Sequence, residues 1–291
     1  MAMVEISVII PHYDDLTRLD RCLAALSQQT MASDRYEIVV ADNMSPCGPA
    51  TVRASVAGRA RLVIAPDKGA GPARNAAVAA ARGSVLAFTD ADCVPEPGWL
   101  AAGLAGLAEH DIVGGRVEVL VEGGGARSGA EAFEAVFAFH NRRYVEREGF
   151  SVTANLFCGR HVYDATGPFH VGMSEDRDWC LRARELGFRL GYRPEAVVGH
   201  PARADWPSLL VKWRRLNAEL YANARMRRGG RLRWLAASLV MPASIIAHLP
   251  KVLFSPALDS LSERMRGAVT LARLRLWRCA DGVLRLVETR A

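Results

Sequence analysis

Four short runs rich in β-branched and apolar residues, with helical patterns between them, constrain the fold of this chain most strongly. A capping-box pattern from Thr17 to Asp20 predicts a helix that continues to Leu26, and the Ala-rich segment Asn75–Ala81 predicts another. Strands that alternate with helices form parallel sheets covered on both faces. We therefore expect an α/β fold with a mostly parallel sheet between two layers of helices. The runs span Ile6–Ile10, Glu37–Ala41, Leu62–Ile64 and Val85–Thr89.

Charge divides the 291-residue chain into two parts. Residues 1–205 carry 21 Lys and Arg against 26 Asp and Glu, a net charge of −5, whereas residues 206–291 carry 16 against 5, a net charge of +11. The pattern from Trp206 onward is almost entirely helical. A basic, helical segment suits anionic lipid, substrate phosphate or nucleic acid. Few aromatic residues lie between its basic ones, which argues against nucleic acid and favours an anionic membrane surface.

The basic segment also contains an uncharged, mostly apolar run, Trp234–Leu249, which Pro242 interrupts. A helix that spans a bilayer needs about 20 apolar residues, so this run is short for a transmembrane helix. Two interpretations are equally open: interfacial or re-entrant insertion into the membrane, or burial in a helical core. The arginines that precede the run suit a membrane-facing cytoplasmic flank, and they also suit a solvated basic helix. They are Arg225, Arg227, Arg228, Arg231 and Arg233.

The cysteines and the N-terminus indicate the compartment. The six cysteines, at positions 22, 47, 93, 158, 180 and 279, lack the paired spacing of zinc or redox motifs. We interpret them as the reduced thiols of a cytosolic protein. The chain enters its first strand at Val4 without a basic region or a cleavage site, so we expect no signal peptide. Together with the basic segment, these features predict a cytoplasmic protein that is peripheral on the inner face of the cell membrane.

Two carboxylates, Asp90 and Asp92, directly follow the fourth apolar run. A buried strand that ends in this way presents both acids at the carboxyl edge of the sheet, where open α/β sheets bind ligands. An Asp-x-Asp pair is a weak indication by itself, because acidic pairs in turns are common. Its weight comes from other segments that point to the same edge.

Polar residues also follow the first two strands. The first strand leads into Pro11 and then Tyr13, whose ring could stack on a nucleobase. The second strand leads into Asp42, whose carboxylate could accept the N3–H of a uracil. An ordinary βα turn and an Asx-turn explain the same residues at least equally well.

The third strand leads into Asp67–Asn75, a glycine-containing segment that carries Lys68 and Arg74 and opens a helix. Glycines allow close backbone approach, and the N–H groups at a helix start favour anions. The segment resembles a dinucleotide fingerprint, but Arg74 occupies the third glycine position and the segment follows the third strand. Both departures argue against a Rossmann dehydrogenase. A contact with the phosphate or ribose of a nucleotide is the better interpretation.

Two further segments carry candidate catalytic or metal-binding groups. Glu175 and Asp176 follow Ser174 at the start of a predicted helix. This pattern suits either an N-cap with stabilising acids or a general base. His200 follows the run Val197–Gly199, and it suits either a structural histidine or a ligand.

Taken in order, these segments resemble the family 2 glycosyltransferases, the inverting group with the GT-A fold. The resemblance covers roughly residues 4–225, and it implies a GT-A nucleotide-sugar-binding and catalytic domain over residues 1–205, followed by a helical basic extension over residues 206–291. It rests on Ser7–Pro11 with Tyr13, Asp42, Gly71–Asn75, Asp90–Asp92, Thr153–Leu156, and Glu175-Asp176 followed by Asp178–Arg182.

The resemblance also implies which residues hold the donor and a metal ion. Within the nucleotide site, Asp42 would read uracil. Asp92 would ligate a Mn²⁺ or Mg²⁺ ion that bridges the donor diphosphate, and His200 would complete the metal shell. The nucleotide site as a whole would be formed by Pro11, Tyr13, Asp42, Lys68, Arg74, Asn75 and Asp90.

For catalysis, the resemblance makes Asp176 the base that deprotonates the acceptor hydroxyl while its oxygen attacks the anomeric carbon. Asn155, Glu175 and Trp179 would contact the acceptor. We therefore expect transfer of a single sugar, from a UDP-sugar by preference, to a glycan or a lipid-linked glycan. Two alternatives remain: a sugar nucleotidyltransferase, which would release pyrophosphate, and a non-catalytic, membrane-bound nucleotide-sugar-binding protein.

Overall fold

A computed structural model describes residues 4–122, 125–171 and 174–288. Its strands are β1 (Ile6–His12), β2 (Tyr36–Asp42), β3 (Arg61–Ile64), β4 (Val85–Phe88), β5 (Val94–Pro95), β6 (Ile112–Leu120), β7 (Leu156–Gly159) and β8 (Leu190–Pro201). They form one sheet in the order β3-β2-β1-β4-β7-β6-β8-β5.

The direction of the strands changes at β4. β1 pairs in parallel with β2 and β4, and β2 pairs in parallel with β3. The pairs β4–β7, β6–β7 and β5–β8 are antiparallel. The α/β fold class is confirmed, and its parallel part consists of the four strands whose alternation with helices is visible in the sequence.

Helices cover both faces of this sheet. They are α1 (Leu16–Leu26), α2 (Pro49–Val56), α3 (Ala70–Ala80), α4 (Trp99–Leu107), α7 (Arg160–Thr166) and α8 (Glu175–Glu185). Between β6 and β7 the chain also forms α5 (Gly129–Phe137) and the short α6 (Asn141–Arg143). Successive residues of a strand point to opposite sides. In β1, Val8 and Ile10 therefore pack in one buried cluster with residues of α1, α2 and α4. Ile9 packs in a second cluster with residues of α3, α7 and α8.

The start of α1 differs in detail from the prediction. Asp15 is the N-cap, and its side chain accepts a hydrogen bond from the backbone N–H of Arg18 at 3.0 Å. The helix begins at Leu16, so Thr17 lies inside the first turn and the predicted capping box at Thr17 is wrong. An aspartate at the N-cap satisfies a backbone donor as well as a threonine does.

Contacts between residues divide the chain into two compact units. The first comprises the residues up to Glu118 together with His140–His200. The second comprises Val119–Phe139, which contains α5, and the residues from Pro201 onward. This C-terminal part contains α9 (Trp206–Arg225), α10 (Gly230–Val240), α11 (Ala243–Leu253) and α12 (Leu261–Glu288). The division into domains at residues 205 and 206 stays a prediction.

A buried glutamate lies in the second unit. Glu134 in α5 is 2% exposed, and its carboxylate accepts hydrogen bonds from Arg203 at 3.0 Å and from Lys212 at 2.8 Å. Burial by itself would raise the pKa of Glu134, but the positive charges of Lys212 and Arg203 hold the pKa below its ordinary value. The buried carboxylate and its two cations therefore stabilise one another.

Replacing Glu134 with glutamine is expected to lower the free energy of unfolding by about 3–5 kcal/mol, because it leaves Lys212 and Arg203, which are both partly buried, without their buried counter-charge. Since folding lowers the pKa of Glu134, the stabilisation is present above the glutamate's unfolded pKa and is lost as pH falls through the folded pKa. Urea unfolding at neutral and acidic pH measures both effects. Glu219→Gln is the matched control, because its pair with Arg215 is exposed and contributes little. Equal stability of the two variants would contradict the expectation.

In the part of the chain that the structure describes, no single helix is long and apolar enough to cross a membrane. The helices α10 and α11 pass such a test only together, and the chain bends by 54° between them.

Candidate active site

The carboxyl ends of the parallel strands bring several predicted residues to one edge of the sheet. His12 and Asp42 are the last residues of β1 and β2, and they lie opposite each other in the register of the two strands. Asp90 lies two residues after β4, which is the other neighbour of β1. His200 is the penultimate residue of β8. This is the edge at which open α/β sheets bind ligands.

Backbone strain marks the same region independently. In residues 4–122, 125–171 and 174–288, the non-glycine residues with positive φ are Asp14, Met44 and Ser174, at 53°, 64° and 51°. Asp14 follows β1, Met44 follows β2, and Ser174 precedes α8. A left-handed conformation costs a non-glycine residue about 1–2 kcal/mol, and such residues cluster at ligand sites.

The acids after β4 form a potential metal site. Ligand atoms of Asp90, Asp92 and Cys93 lie within 4.8 Å of one another, and Nε2 of His200 lies 3.6 Å from Oδ2 of Asp92. Burial raises the pKa of Asp92; His200 opposes the rise, and the negative charge of Asp90 adds to it. A bound cation would relieve this repulsion.

The donor set indicates what kind of cation fits. Burial raises the pKa of the Cys93 thiol well above its ordinary value, which disfavours the thiolate form that binds a metal ion. The remaining donors are carboxylate oxygens and the imidazole of His200. These groups suit Mn²⁺ or Mg²⁺, with free coordination positions for water or phosphate oxygens.

Arg74 connects Asp90 to the start of α8. Its Nη2 donates to Oδ1 of Asp90 at 2.6 Å, and its Nη1 donates to Oε1 of Glu175 at 2.7 Å. Arg74 is only 4% exposed. The phosphate contact predicted for Arg74 and the acceptor contact predicted for Glu175 thus involve two side chains that are paired with each other in this structure.

Asp176, the predicted base, is adjacent to this ion-pair bridge. Burial raises its pKa; a backbone N–H of Arg177 and the charge of Arg74 oppose the rise, and Glu175 and Asp90 add to it. A carboxylate with a raised pKa accepts a proton more readily than a solvated aspartate does. A perturbed acid at the ligand-binding edge is a candidate catalytic group.

A hydrogen-bonded cluster at the ends of β1 and β2 was not identified from the sequence. His12 Nε2 accepts a backbone N–H from Asp15 at 3.3 Å, so Nδ1 carries the proton and donates to Oδ1 of Asp42 at 2.9 Å. The hydroxyl of Ser45 donates to the same oxygen at 2.5 Å, and the Ser45 backbone N–H donates to Oδ2 at 3.1 Å. The strand alignment could have revealed the pair, because His12 and Asp42 end adjacent parallel strands.

The remaining predicted nucleotide contacts lie in the loops of this edge. Tyr13 is 59% exposed and Pro11 is partly buried, both at the end of β1. Lys68 is exposed in the loop between β3 and α3. The side chain of Asn43 holds this loop: it donates to the carbonyl groups of Ala65 and Asp67, and its oxygen accepts the N–H of Gly69. The predicted roles of Pro11, Tyr13 and Lys68 stay predictions.

The structure gives Asn75 an internal role. Its amide oxygen accepts the Phe169 N–H at 2.9 Å and the Tyr163 hydroxyl at 2.8 Å, and its amide nitrogen donates to the Phe169 carbonyl at 2.9 Å. These bonds use most of the hydrogen-bonding capacity of the amide. Asn75 therefore anchors the segment before α8, which differs from the ribose or phosphate contact that we expected.

Two residues predicted to contact an acceptor are inside the protein. Asn155 is fully buried; it accepts from the indole of Trp99 and donates to the carbonyl groups of Arg116 and Ala196. Trp179 is also fully buried, and its indole donates to the Gly167 carbonyl. In this structure both side chains are hydrogen-bonded inside the protein, and their predicted contacts with an acceptor stay predictions. Their polar atoms satisfy backbone groups in the core.

Comparisons with known proteins identify the family of the chain. The model of glycosyl transferase family 2 matches residues 7–174. Glycosyltransferase AglE of Haloferax volcanii is 31% identical over 206 residues, which cover 68% of this chain and 67% of AglE. The pre-mycofactocin glycosyltransferase of Mycobacterium tuberculosis is 28% identical over 69% of this chain, which spans only 44% of that protein.

Two solved structures share the fold. PcManGT of Pyrobaculum calidifontis, a mannosyltransferase in complex with GDP-mannose and Mn²⁺, superimposes with a TM-score of 0.60 at 19% identity, covering 99% of this chain and 88% of that one. TarS of S. aureus gives a TM-score of 0.53 at 16% identity, covering 95% and 54%. The predicted GT-A fold is confirmed. With a family model that matches more than half of its length and a relative that is 31% identical, the chain belongs to glycosyltransferase family 2.

Proposed function

We propose that this glycosyltransferase moves a single sugar from a nucleoside-diphosphate donor to a hydroxyl of a glycan or a lipid-linked glycan, with inversion at the anomeric carbon. The observation that carries the proposal is the placement of Asp90, Asp92 and Asp176 at one edge of the sheet, where Arg74 bonds both to Asp90 and to Glu175, the neighbour of Asp176. Asp90 and Asp92 are suited to bind a cation together with the donor diphosphate, and Asp176 is suited to accept a proton from an acceptor hydroxyl.

The chemistry assigns one step to Asp176. Its carboxylate takes the proton of the acceptor hydroxyl while the acceptor oxygen forms a bond to the anomeric carbon. The bond from that carbon to the donor diphosphate breaks on the opposite side, and the nucleoside diphosphate leaves with the electron pair. Burial favours this proton transfer, because it raises the pKa of the base. Exposed Lys68 is placed in a loop of the same edge, where its charge suits the diphosphate.

Asp92 and His200 would hold a Mn²⁺ or Mg²⁺ ion, with Asp90 beside them. Such an ion supplies Lewis-acid stabilisation of the negative charge on the diphosphate. Support comes from the donor set of this chain and from the Mn²⁺ in the PcManGT complex, which has the same fold at 19% identity.

Hydrogen bonding at Asp42 favours a donor base with a single imide N–H, such as uracil, over guanine. Oδ1 of Asp42 already accepts two hydrogen bonds, from His12 and from Ser45, whereas Oδ2 accepts one. A carboxylate oxygen accepts about two such bonds, so one acceptor position is left. Uracil needs one acceptor for its single imide N–H. Guanine presents two adjacent donors, which a carboxylate matches only when both oxygens are free.

The test is a panel of UDP-, dTDP- and GDP-sugars, incubated with the purified chain and Mn²⁺ or Mg²⁺. Many transferases pass a sugar slowly to water, so release of nucleoside diphosphate identifies the donor without a known acceptor. Release from UDP-sugars that stops on chelation is expected. Release of pyrophosphate would indicate a nucleotidyltransferase, and metal-dependent binding without turnover of any donor, with glycan acceptors added, would indicate a binding protein. Turnover of GDP-sugars alone would overturn the assignment of the base.

We also propose that the chain is peripheral on the inner face of the cell membrane. In the second unit, large apolar side chains on α10 and α11 and at the end of α11 are exposed to solvent, including Ile246 and Phe254 at 79% each. No acidic residue occurs between Glu219 and Asp259, a stretch with five arginines and a lysine. Exposed apolar groups beside uncompensated positive charge suit the surface of an anionic bilayer.

Replacing Arg227 and Arg228 together with glutamine is expected to weaken binding to phosphatidylglycerol vesicles by about 30-fold, because each basic residue near an anionic surface contributes about 1 kcal/mol. Ile246→Ser should weaken it further by removing an apolar contact. Co-sedimentation with vesicles measures both. Val211→Ser, at an exposed apolar position of α9, is the control. Failure of the unsubstituted chain to bind, or equal binding to phosphatidylcholine vesicles, would count against the proposal.

A further inference from the structure

Two consecutive residues of α3 hold the segment that leads into α8. Asn75 binds both backbone groups of Phe169, and Arg74 binds the carboxylate of Glu175, the first residue of α8. Arg74 and Asn75 thus attach this segment at two points, one through the backbone and one through a charge. Glu175 is the first residue of the helix that carries Asp176, so its bond to Arg74 acts directly on the start of that helix.

The guanidinium of Arg74 lies between two carboxylates that belong to different elements. Nη2 binds Asp90, which follows β4, and Nη1 binds Glu175 in α8. The buried Nε has no hydrogen-bond partner, so the two terminal nitrogens hold the group. The planar fork of arginine suits such a bridge, because its donors point in fixed directions.

The second oxygen of Glu175 lies close to Gly71, in the first turn of α3. A Cβ at this position would lie 3.5 Å from Oε2 of Glu175 and 3.4 Å from Cβ of Phe169. The carboxylate therefore lies against the N-terminal turn of α3, whose N–H groups favour negative charge. Both ends of the bridge are accordingly fixed by the fold.

We propose that Arg74 is a positioning residue for the transfer reaction, which holds Asp176 at a fixed place relative to Asp90 on the donor side. This inference rests on the proposed function. It differs from a direct contact between Arg74 and the nucleotide, because the guanidinium is buried and both of its terminal nitrogens are engaged.

The position of Arg74 also determines the electrostatic surroundings of Asp176. The ionisable groups that interact with Asp176 include Arg74 in α3, Glu175 and Cys180 in its own helix, Asp90 after β4 and Tyr144 in the π-helical turn Tyr144–Glu148. Arg74 is the positive one among these. Loss of its charge would leave three carboxylates facing one another, so the pKa of Asp176 would rise and a larger fraction of this base would be protonated at a given pH.

Three variants separate the charge of Arg74 from its geometry. Arg74→Gln removes both, and Arg74→Lys keeps the charge but replaces the fork with one ammonium group. Asn75→Ala removes the backbone attachment to Phe169, together with the bond from the Tyr163 hydroxyl, and leaves the charge of Arg74 in place. The pKa of Asp176 is measured by ¹³C NMR of protein labelled at the aspartate carboxyl carbons, without substrate, and the resonance is assigned with Asp176→Asn. The kcat and the donor KM are measured against pH with the donor that the panel identifies.

Arg74→Gln is expected to raise the pKa of Asp176, to move the acidic limb of kcat to higher pH, and to lower kcat by about 10²-fold, since a small misplacement of a catalytic group has effects of that size. Arg74→Lys should lower kcat while the acidic limb stays nearly in place, and it carries the test if Arg74→Gln does not fold. Asn75→Ala should lower kcat without moving the limb.

Three results would overturn the inference. One is a rise in donor KM at unchanged kcat in Arg74→Lys, which would indicate a direct contact with the nucleotide. The second is full kcat in Arg74→Lys. The third is an unchanged NMR pKa of Asp176 in folded Arg74→Gln. If the NMR pKa of Asp176 shifts in Arg74→Gln, but neither the parent protein nor any variant turns over a donor, the electrostatic coupling between Arg74 and Asp176 holds and the proposed function is wrong.

Discussion

Replacing Asp176 with asparagine is expected to lower the rate of sugar transfer by about 10²–10⁴-fold, the usual contribution of a general base. Asparagine has nearly the same shape but cannot take the proton of the acceptor hydroxyl. Donor binding should persist, because the substitution leaves Asp90, Asp92 and His200 in place. Metal-dependent calorimetry with the nucleoside diphosphate measures binding, and release of the diphosphate in the presence of acceptor measures transfer.

The stability of Asp176→Asn provides a second, independent result. Burial raises the pKa of Asp176, so the ionised carboxylate costs stability in the folded state above that pKa. Asparagine removes this cost, and the variant should be at least as stable as the parent protein at neutral pH. An inactive variant that is also less stable would indicate a structural role.

Asp178→Asn is the matched control for the base. Asp178 also lies in the first turn of α8, but its carboxylate pairs with His170 and Arg182. The variant alters the charge of the same helix turn and should transfer sugar at close to the parental rate. If Asp178→Asn lost as much activity as Asp176→Asn, the loss would belong to the helix start as a whole.

The strand ends of the site were predictable, because they follow from local pattern. A buried parallel strand has an apolar run of a few residues, and its carboxyl end is fixed by where that run stops. The positions of Asp42 and Asp90 at one edge therefore follow from sequence. The pair of His12 and Asp42 was predictable in principle, since adjacent parallel strands of equal length place their last residues side by side.

The side-chain partners across long separations were not predictable in this way. Arg74 and Glu175 are 101 residues apart, and their ion pair depends on how α8 packs against α3. Asn155 occurs in a motif that resembles an acceptor-binding segment, but its amide satisfies carbonyl groups of two other segments of the chain. Periodicity assigns a residue to an element, whereas tertiary packing decides whether its polar atoms face a ligand or the core.

Replacing Asp92 with alanine is expected to lower metal-dependent turnover by about 10³-fold, because a bound cation stabilises the diphosphate charge by several kcal/mol and each 1.4 kcal/mol is a factor of ten. The variant should also lose Mn²⁺ binding in the absence of any donor, which calorimetry measures directly. Asp67→Ala is the control. It removes a carboxylate from the loop between β3 and α3 and leaves the acids after β4 unchanged.

Thermal unfolding separates a lost metal ligand from a disturbed fold. A cation that binds only the folded state raises the melting temperature, so Mn²⁺ should stabilise the parent protein and Asp67→Ala but leave Asp92→Ala unaffected. Without metal, Asp92→Ala should be no less stable than the parent, because burial and the charge of Asp90 disfavour the ionised Asp92 carboxylate in spite of His200. Mn²⁺ stabilisation that persists in Asp92→Ala would place the cation elsewhere. Higher stability of Asp92→Ala together with lost turnover would show that Asp92 destabilises the metal-free fold and serves to bind the cation.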